Sequence, residues 1–145
     1  MSERAPPNFD ALAALAIAAA RQAWAPYSGF HVGAALLCED GTIFTGCNVE
    51  NASYGLTICA ERTAVVKAVS EGHRRFLGLA ISTDLDTPAS PCGMCRQTLA
   101  EFGPDLSILL VGQGGSRRLV ELSQLLPDAF TPSELLAYRG TGSAP

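Results

Sequence analysis

The sequence predicts a layered α/β domain built on one mixed β-sheet, and three observations carry that prediction. Two β-rich runs, 31–38 and 42–49, flank Glu39-Asp40-Gly41, a tight-turn signal that joins them as an antiparallel hairpin. After the hairpin, helical and strand-like patterns alternate as far as Glu121. The link Gly112-Gln113-Gly114-Gly115-Ser116 is too short for a parallel crossover, so a strand beyond it must pair antiparallel with the one before.

In chain order, residues 1–7 are expected to form a flexible tail, with Asn8 or Asp10 capping the first helix. Leu12, Leu15, Ala16, Ala19 and Ala23 recur at helical spacing on an alanine-rich background, which predicts that this helix runs to about Trp24 and is ended by Pro26. The hairpin comes next and leaves Asn48 to Tyr54 in the loop beyond its second strand. Thr57 is the expected cap of a helix over 59–71, with Ala60, Ala64, Val65, Ala68 and Val69 as its apolar face and Gly72 as its stop. Residues 76–83 read as a strand, and 84–91 as a polar, proline-bearing connection into a helix over 92–102 that Gly103-Pro104 ends. Residues 106–111 read as a buried strand and 117–121 as its antiparallel partner. Short helices are expected over 122–126 and 132–138, with Phe130 between them and 140–145 as a flexible tail. No internal repeat or linker divides the chain, so 1–145 is expected to be a single domain.

A chain of 145 residues can bury roughly 68–70% of its unfolded surface. Its charged share is 17%, below the usual value of about 25%, which leaves apolar surface for subunit contacts. The net charge of −4 and the lack of a basic run argue against a nucleic-acid partner. No apolar run reaches the roughly 18 residues of a membrane helix, and the start lacks the basic head and cleavage site of a secretory signal. A soluble, cytoplasmic protein with no membrane partner is therefore expected. Five cysteines make an odd count, so reduced thiols able to bind metal are expected rather than a disulfide framework.

Those thiols point to chemistry at Cys59-Ala60-Glu61-Arg62 and Pro91-Cys92-Gly93-Met94-Cys95. Catalytic zinc keeps three protein ligands and leaves the fourth position to water, whereas structural zinc is closed by four. Cys59, Cys92 and Cys95 supply three. At a helix start, positions i and i+3 point the same way, so Cys92 and Cys95 can reach one ion. The helix end also favours the thiolate that ligates. Cys59 and Glu61 lie about 200° apart around an ideal helix, yet both can reach toward its open end from the first turn. Three thiolates around Zn²⁺ sum to −1, a charge that two helix N-termini and Arg62 can offset. A lone C-x-x-C is equally a redox pair or half of a structural zinc site, with Cys38, Cys47, His31 or His73 as a fourth ligand. Cys38 and Cys47 read instead as buried, inert strand cysteines, His73 as a solvated residue after the helix stop, and His31 as a strand histidine satisfied by a backbone partner.

A Cys or His, a Glu two residues on, and a later P-C-x-x-C form the signature of zinc nucleobase deaminases. Pro26-Tyr27-Ser28-Gly29-Phe30, Gly46-Cys47-Asn48-Val49-Glu50-Asn51-Ala52 and the two cysteine motifs narrow this, so that the chain resembles the small homotetrameric cytidine deaminases. The resemblance is nearly continuous from Pro26 to Phe102 and resumes at Leu125-Leu126-Pro127-Asp128-Ala129-Phe130. It implies a three-layer α-β-α fold with a five-stranded mixed sheet, and a homotetramer with shared active sites. It implies one Zn²⁺ per subunit on Cys59, Cys92 and Cys95, activating a water for attack on C4 of the pyrimidine. Glu61 would shuttle the protons, and Arg62 would tune the charge. Asn48 and Glu50, two apart and so on one face, would hold the ribose, chiefly its 3′-hydroxyl. Phe30 and, from a neighbouring subunit, Phe130 would flank the ring, and Ala52, Tyr54 and Ala60 would complete the pocket. Leu56-Thr57-Ile58 is a variable stretch that carries no substrate detail.

The activity implied is hydrolytic deamination of cytidine and deoxycytidine in pyrimidine salvage. Two rivals stand beside it. One is deamination of another cytosine nucleoside, such as a blasticidin-type antibiotic; the other is a non-catalytic, zinc-stabilised assembly module with a closed four-ligand site. A nucleic-acid editor is disfavoured by the acidic chain and by the lack of basic or aromatic elements at its C-terminal end.

Overall fold

A computed structural model describes residues 4–139. Their elements run as helix α1 (Phe9–Ala20), strands β1 (Val32–Cys38) and β2 (Ile43–Cys47), helix α2 (Ala60–Ser70), strand β3 (Phe76–Thr83), helix α3 (Gly93–Phe102), strands β4 (Ser107–Val111) and β5 (Arg117–Glu121), and helices α4 (Leu122–Leu125) and α5 (Pro132–Tyr138). Residues 1–3 and 140–145, expected to belong to flexible tails, lie outside the described residues. Of the first expected tail, Arg4 is described pairing with Glu39 at 3.2 Å.

The five strands form one sheet in the order β2-β1-β3-β4-β5. β3 and β4 are parallel, joined by a crossover through α3, and the other neighbours are antiparallel. The sheet is therefore mixed, with the hairpin at one edge and β5 at the other. Alternate residues sort to its two faces. Ala35, Ala80, Leu109 and Val111 pack under Leu12, Ala13 and Ala16 of α1. Ala34, Leu36, Leu79, Ile81, Ile108 and Leu110 pack under Ala60, Ala64, Val65 and Ala68 of α2 and Leu99 of α3. The result is three layers, α-β-α.

Small residues bring the helices close to the sheet. A Cβ on Gly33 would lie 1.9 Å from the backbone oxygen of Ala16. One on Gly46 would lie 2.5 Å from that of Ala60, so α2 is seated directly on β2. Close seating of this kind fixes where the N-terminus of α2 points.

Two local expectations are overruled by longer-range bonds. Asn8 caps α1 by accepting from Ala11 N at 3.1 Å, but the helix stops at Ala20, short of Trp24. Trp24 instead donates its amide to Asn48 O at 3.0 Å and accepts from Glu50 N at 2.8 Å, an extended pairing that outweighs the helical preference of the stretch. Nor does Thr57 cap α2. Cys59 takes the N-cap, and Thr57 Oγ1 accepts from Asn51 N at 3.2 Å within the preceding loop. Gly72, at φ +95°, does end α2. His73 beyond it is half-buried, with its ring edge-on to Phe44 at 5.1 Å, rather than solvated. Among the described residues, no helix is long and apolar enough to cross a membrane.

Candidate active site

The candidate site lies where the N-termini of α2 and α3 meet. Cys59 is the N-cap of α2, Cys92 is the N-cap of α3, and Cys95 sits in the first turn of α3. Neither N-cap side chain makes a capping bond to the backbone of its own helix. The sulfurs of Cys59, Cys92 and Cys95 all lie within 4.8 Å of one another, and those of Cys59 and Cys92 are 3.6 Å apart. Zn–S bonds of about 2.3 Å in a tetrahedral site require S···S separations of roughly 3.8 Å, so the three fit a zinc ion.

The protonation of the thiols agrees with that geometry. A hydrogen bond from Cys95, aided by Arg62 and Cys92, pulls the Cys59 thiol down despite its burial. Cys95, bonded to Cys59 and buried, is pushed up. Without a cation, Cys59 ionises at the expense of Cys95; a divalent ion is what lets thiolates gather at one site. Among the described residues no fourth Cys, His, Asp or Glu joins the group. Cys38 is fully buried and Cys47 half-buried elsewhere in the hairpin. His31 is satisfied, though by a side chain rather than the backbone: its ring Nδ1 and its amide both meet the Asp84 carboxylate, at 3.1 Å each. The set is thus one of three ligands, open at the fourth position.

Glu61 sits beside this group on the first turn of α2, only 5% exposed. Burial pushes its carboxyl up to about 7, and the nearby Cys59 adds to the shift. A carboxyl placed there can both take and give a proton near neutral pH. Nη2 of Arg62 lies 3.6 Å from Cys59 Sγ and 3.3 Å from Thr57 O, which brings its positive charge against the thiolates. Arg96 braces the start of α3 by donating to Pro91 O at 2.8 Å and Leu125 O at 2.7 Å.

A cavity of about 310 Å³ opens over the thiols. Phe30, Asn48, Glu50, Cys59, Ala60, Glu61 and Cys92 all line it, so most of the expected site residues converge. Asn48 is buried, with Oδ1 accepting from Val32 N at 2.9 Å and Nδ2 donating to Phe30 O at 2.7 Å. The Ser28 hydroxyl, followed by the amides of Ser28 and Tyr27, holds the Glu50 carboxyl below its ordinary pKa. A larger cavity of about 620 Å³ lies elsewhere, lined by Arg21, His31 and Gly112 to Gly115, and it contains none of the thiols.

Three expected pocket residues stand apart within one chain. Phe130, 60% exposed, lines a different cavity with Gln97 and Glu101. Tyr54, 77% exposed, lies edge-on to Tyr27 at 6.1 Å and lines an adjoining cavity of about 350 Å³ with Ser28, Glu50 and Thr57, and Ala52 is exposed in the same loop. Sequence reasoning missed several residues of the cleft, Ser28 and Thr83 among them. Ser28 was legible only as part of Pro26-Tyr27-Ser28-Gly29-Phe30, because its partner Glu50 is 22 residues away. Thr83 carried no signal at all, yet its buried Oγ1 has no hydrogen-bond partner among the described residues.

Fold and site together define a zinc-dependent hydrolase of the α-β-α deaminase kind, with three thiolates for the metal and one carboxyl beside it. The chain belongs to the cytidine deaminase family: the sequence profile of the cytidine and deoxycytidylate deaminase zinc-binding region matches residues 8–110. A cytidine deaminase of Sporosarcina psychrophila is 51% identical over 118 residues, covering 81% of this chain and 87% of the relative. Another from Halalkalibacterium halodurans is 50% identical over 121 residues, covering 83% and 92%. The crystal structure of cytidine deaminase from Burkholderia pseudomallei superposes with a TM-score of 0.83 at 48% identity, covering 86% of this chain and 100% of the other. That from Mycobacterium tuberculosis gives 0.76 at 46%, covering 86% and 98%.

Proposed function

We propose that this enzyme deaminates cytidine and deoxycytidine hydrolytically, to uridine and deoxyuridine plus ammonia. The observation that carries the reading is the convergence in one cleft of a three-thiol metal site, the buried Glu61 carboxyl and the polar pair Asn48 and Glu50. Cys59, Cys92 and Cys95 hold one zinc ion, which when bound supplies the Lewis acidity that makes water nucleophilic near neutral pH. Glu61 takes one proton from the attacking water and delivers it to N3 of the ring; it then takes the second proton, from the hydroxyl now on C4, and gives it to the amino group, which leaves as ammonia. Its raised pKa suits a group that must alternate between both states. Phe30 covers the pyrimidine face, and Ala60 forms the wall beside it. Asn48 and Glu50 hold the ribose from the strand end, and Arg62 moderates the thiolate charge.

The reading includes a homotetramer in which neighbours complete each site. It is supported by the exposed Phe130 and Tyr54, large aromatic residues without cover in one chain. A cytoplasmic location suits five unpaired cysteines, since thiols stay reduced there. A role in pyrimidine salvage follows from the substrates.

The test is the ultraviolet absorbance of cytidine, deoxycytidine, adenosine and blasticidin S incubated with purified protein, with and without a zinc chelator. Conversion of the first two alone, abolished by the chelator, is expected. No change with any of the four would overturn the reading, and turnover of blasticidin S alone would move it to the antibiotic.

A further inference from the structure

The hydroxyl of Ser28 bonds both to Glu50 and to the backbone of Phe30, two residues that line the cleft. It donates to Oε2 of Glu50, 22 residues away, while Oε1 accepts from the amides of Tyr27 and Ser28 at 3.1 Å each. The same Oγ accepts from the backbone N–H of Phe30 at 3.0 Å. A serine hydroxyl can donate once and accept at the same time, and here it does both. Gly29, at φ +68°, gives the chain the reversal that brings Phe30 N back onto Ser28 Oγ.

The arrangement limits what Glu50 can do. A carboxylate offers about four lone-pair sites. Two amides occupy Oε1 and the serine hydroxyl occupies one site on Oε2, which leaves a single acceptor site, on Oε2. Its direction is set by the bond from Ser28, because that bond fixes the rotation of the carboxylate. On the other side, Phe30 is held at both ends of its own peptide, by Ser28 at the amide and by Asn48 Nδ2 at the carbonyl, the latter at 2.7 Å.

We propose that Ser28 is a positioning residue for sugar recognition. It turns the one remaining acceptor site of Glu50 toward a single ribose hydroxyl and seats Phe30 for the base. This rests on the reading of Glu50 as a ribose-binding residue. The bond to the carboxylate is charge-assisted and about twice as strong as the neutral one to the Phe30 amide. Loss of the hydroxyl therefore falls first on the sugar.

The experiment uses zinc-loaded, full-length Ser28→Ala, Ser28→Thr and Glu50→Gln proteins. For each, the KM and kcat for cytidine are measured, together with the competitive inhibition constant of 2′,3′-dideoxycytidine, which lacks the hydroxyls in question. Ser28→Ala is expected to raise KM for cytidine about tenfold, as for loss of one hydrogen bond to a charged group, with kcat within about threefold. The inhibition constant of the dideoxynucleoside should stay within about twofold, and Ser28→Thr should restore the KM. If Ser28→Ala weakens both nucleosides equally while Glu50→Gln discriminates between them, Ser28 merely stabilises the turn and the proposal is wrong. If Glu50→Gln does not discriminate either, the ribose role of Glu50 itself falls, and the proposal with it.

Discussion

Gly46 of β2 lies so close to Ala60 of α2 that a Cβ on the glycine would come within 2.5 Å of the Ala60 backbone oxygen and 2.6 Å of Ala64 N. The contact joins the hairpin edge to the first turn of the helix that carries Glu61 and starts just after Cys59. Backbone on both sides leaves nothing flexible to move aside. Gly46→Ala is therefore expected to destabilise the fold by about 3 kcal/mol, lowering Tm by roughly 10 °C, and to reduce zinc occupancy by displacing Cys59. Gly55→Ala, where nothing lies within 4 Å, serves as the control and should leave Tm unchanged. Thermal melts with metal analysis decide it; a Gly46→Ala protein as stable as the parent would contradict the tight seating of α2.

Glu61 lies outside the group of possible metal ligands, and the proposed function gives it the proton chemistry. Glu61→Gln keeps its volume and should retain one zinc per chain while kcat falls by at least about a hundredfold. Zinc content by emission spectroscopy, beside initial rates on cytidine, separates the two effects. Loss of zinc in this variant would make Glu61 a ligand instead.

Asn48 holds the framework through two side-chain bonds, and the proposed function also gives it the ribose. Removing its side chain strands the Val32 amide and the Phe30 carbonyl, at about 1–3 kcal/mol for each group left buried without a partner. Asn48→Ala is expected to lower Tm and raise KM for cytidine together. A variant with raised KM and unaltered melting would show that the two backbone bonds contribute nothing to stability.

Cys38 ties stability to alkaline pH. Its thiol is fully buried in β1, and burial, followed by the charge of Asp40, pushes it up to about 11 from an ordinary value of 9.0. A raised folded pKa means that the fold favours the neutral thiol. The contribution is complete below about pH 9 and is lost as pH climbs through 11, because only the unfolded chain ionises freely there. Denaturant midpoints measured across that window should fall more steeply for the parent than for Cys38→Ala; identical slopes would exclude Cys38 as the cause. The same burial predicts that native protein leaves Cys38 unalkylated by iodoacetamide.

The parts of the molecule that sequence made legible are those with local signals. The hairpin turn, the helix stop at Gly72 and the antiparallel return through Gly112 to Ser116 each follow from a few adjacent residues, and the structure has all three. The metal set was legible in another way, from two cysteines spaced i, i+3 at one helix start and a third at another, although a C-x-x-C alone reads equally as a redox pair or half of a structural zinc site. Trp24 and Thr57 departed from expectation for the opposite reason. Their backbone or hydroxyl partners, Asn48, Glu50 and Asn51, come from elsewhere in the fold, and those bonds overrode a local preference for helix or cap.

By itself, then, the sequence pointed through local pattern and spacing to a layered α/β domain with one mixed sheet and to Cys59, Cys92 and Cys95 as metal ligands, while the three-layer order and the proton role of Glu61 were implied by the resemblance to the cytidine deaminases. Only the tertiary structure decided that Glu61 is buried enough to hold a proton near neutrality, that Glu50 has one acceptor site to spare, and that Phe130 stands outside the cleft of its own chain and Tyr54 in a cavity adjoining it. Burial and hydrogen-bond saturation are properties of what packs around a residue. Here those neighbours come from strands and loops tens of positions away.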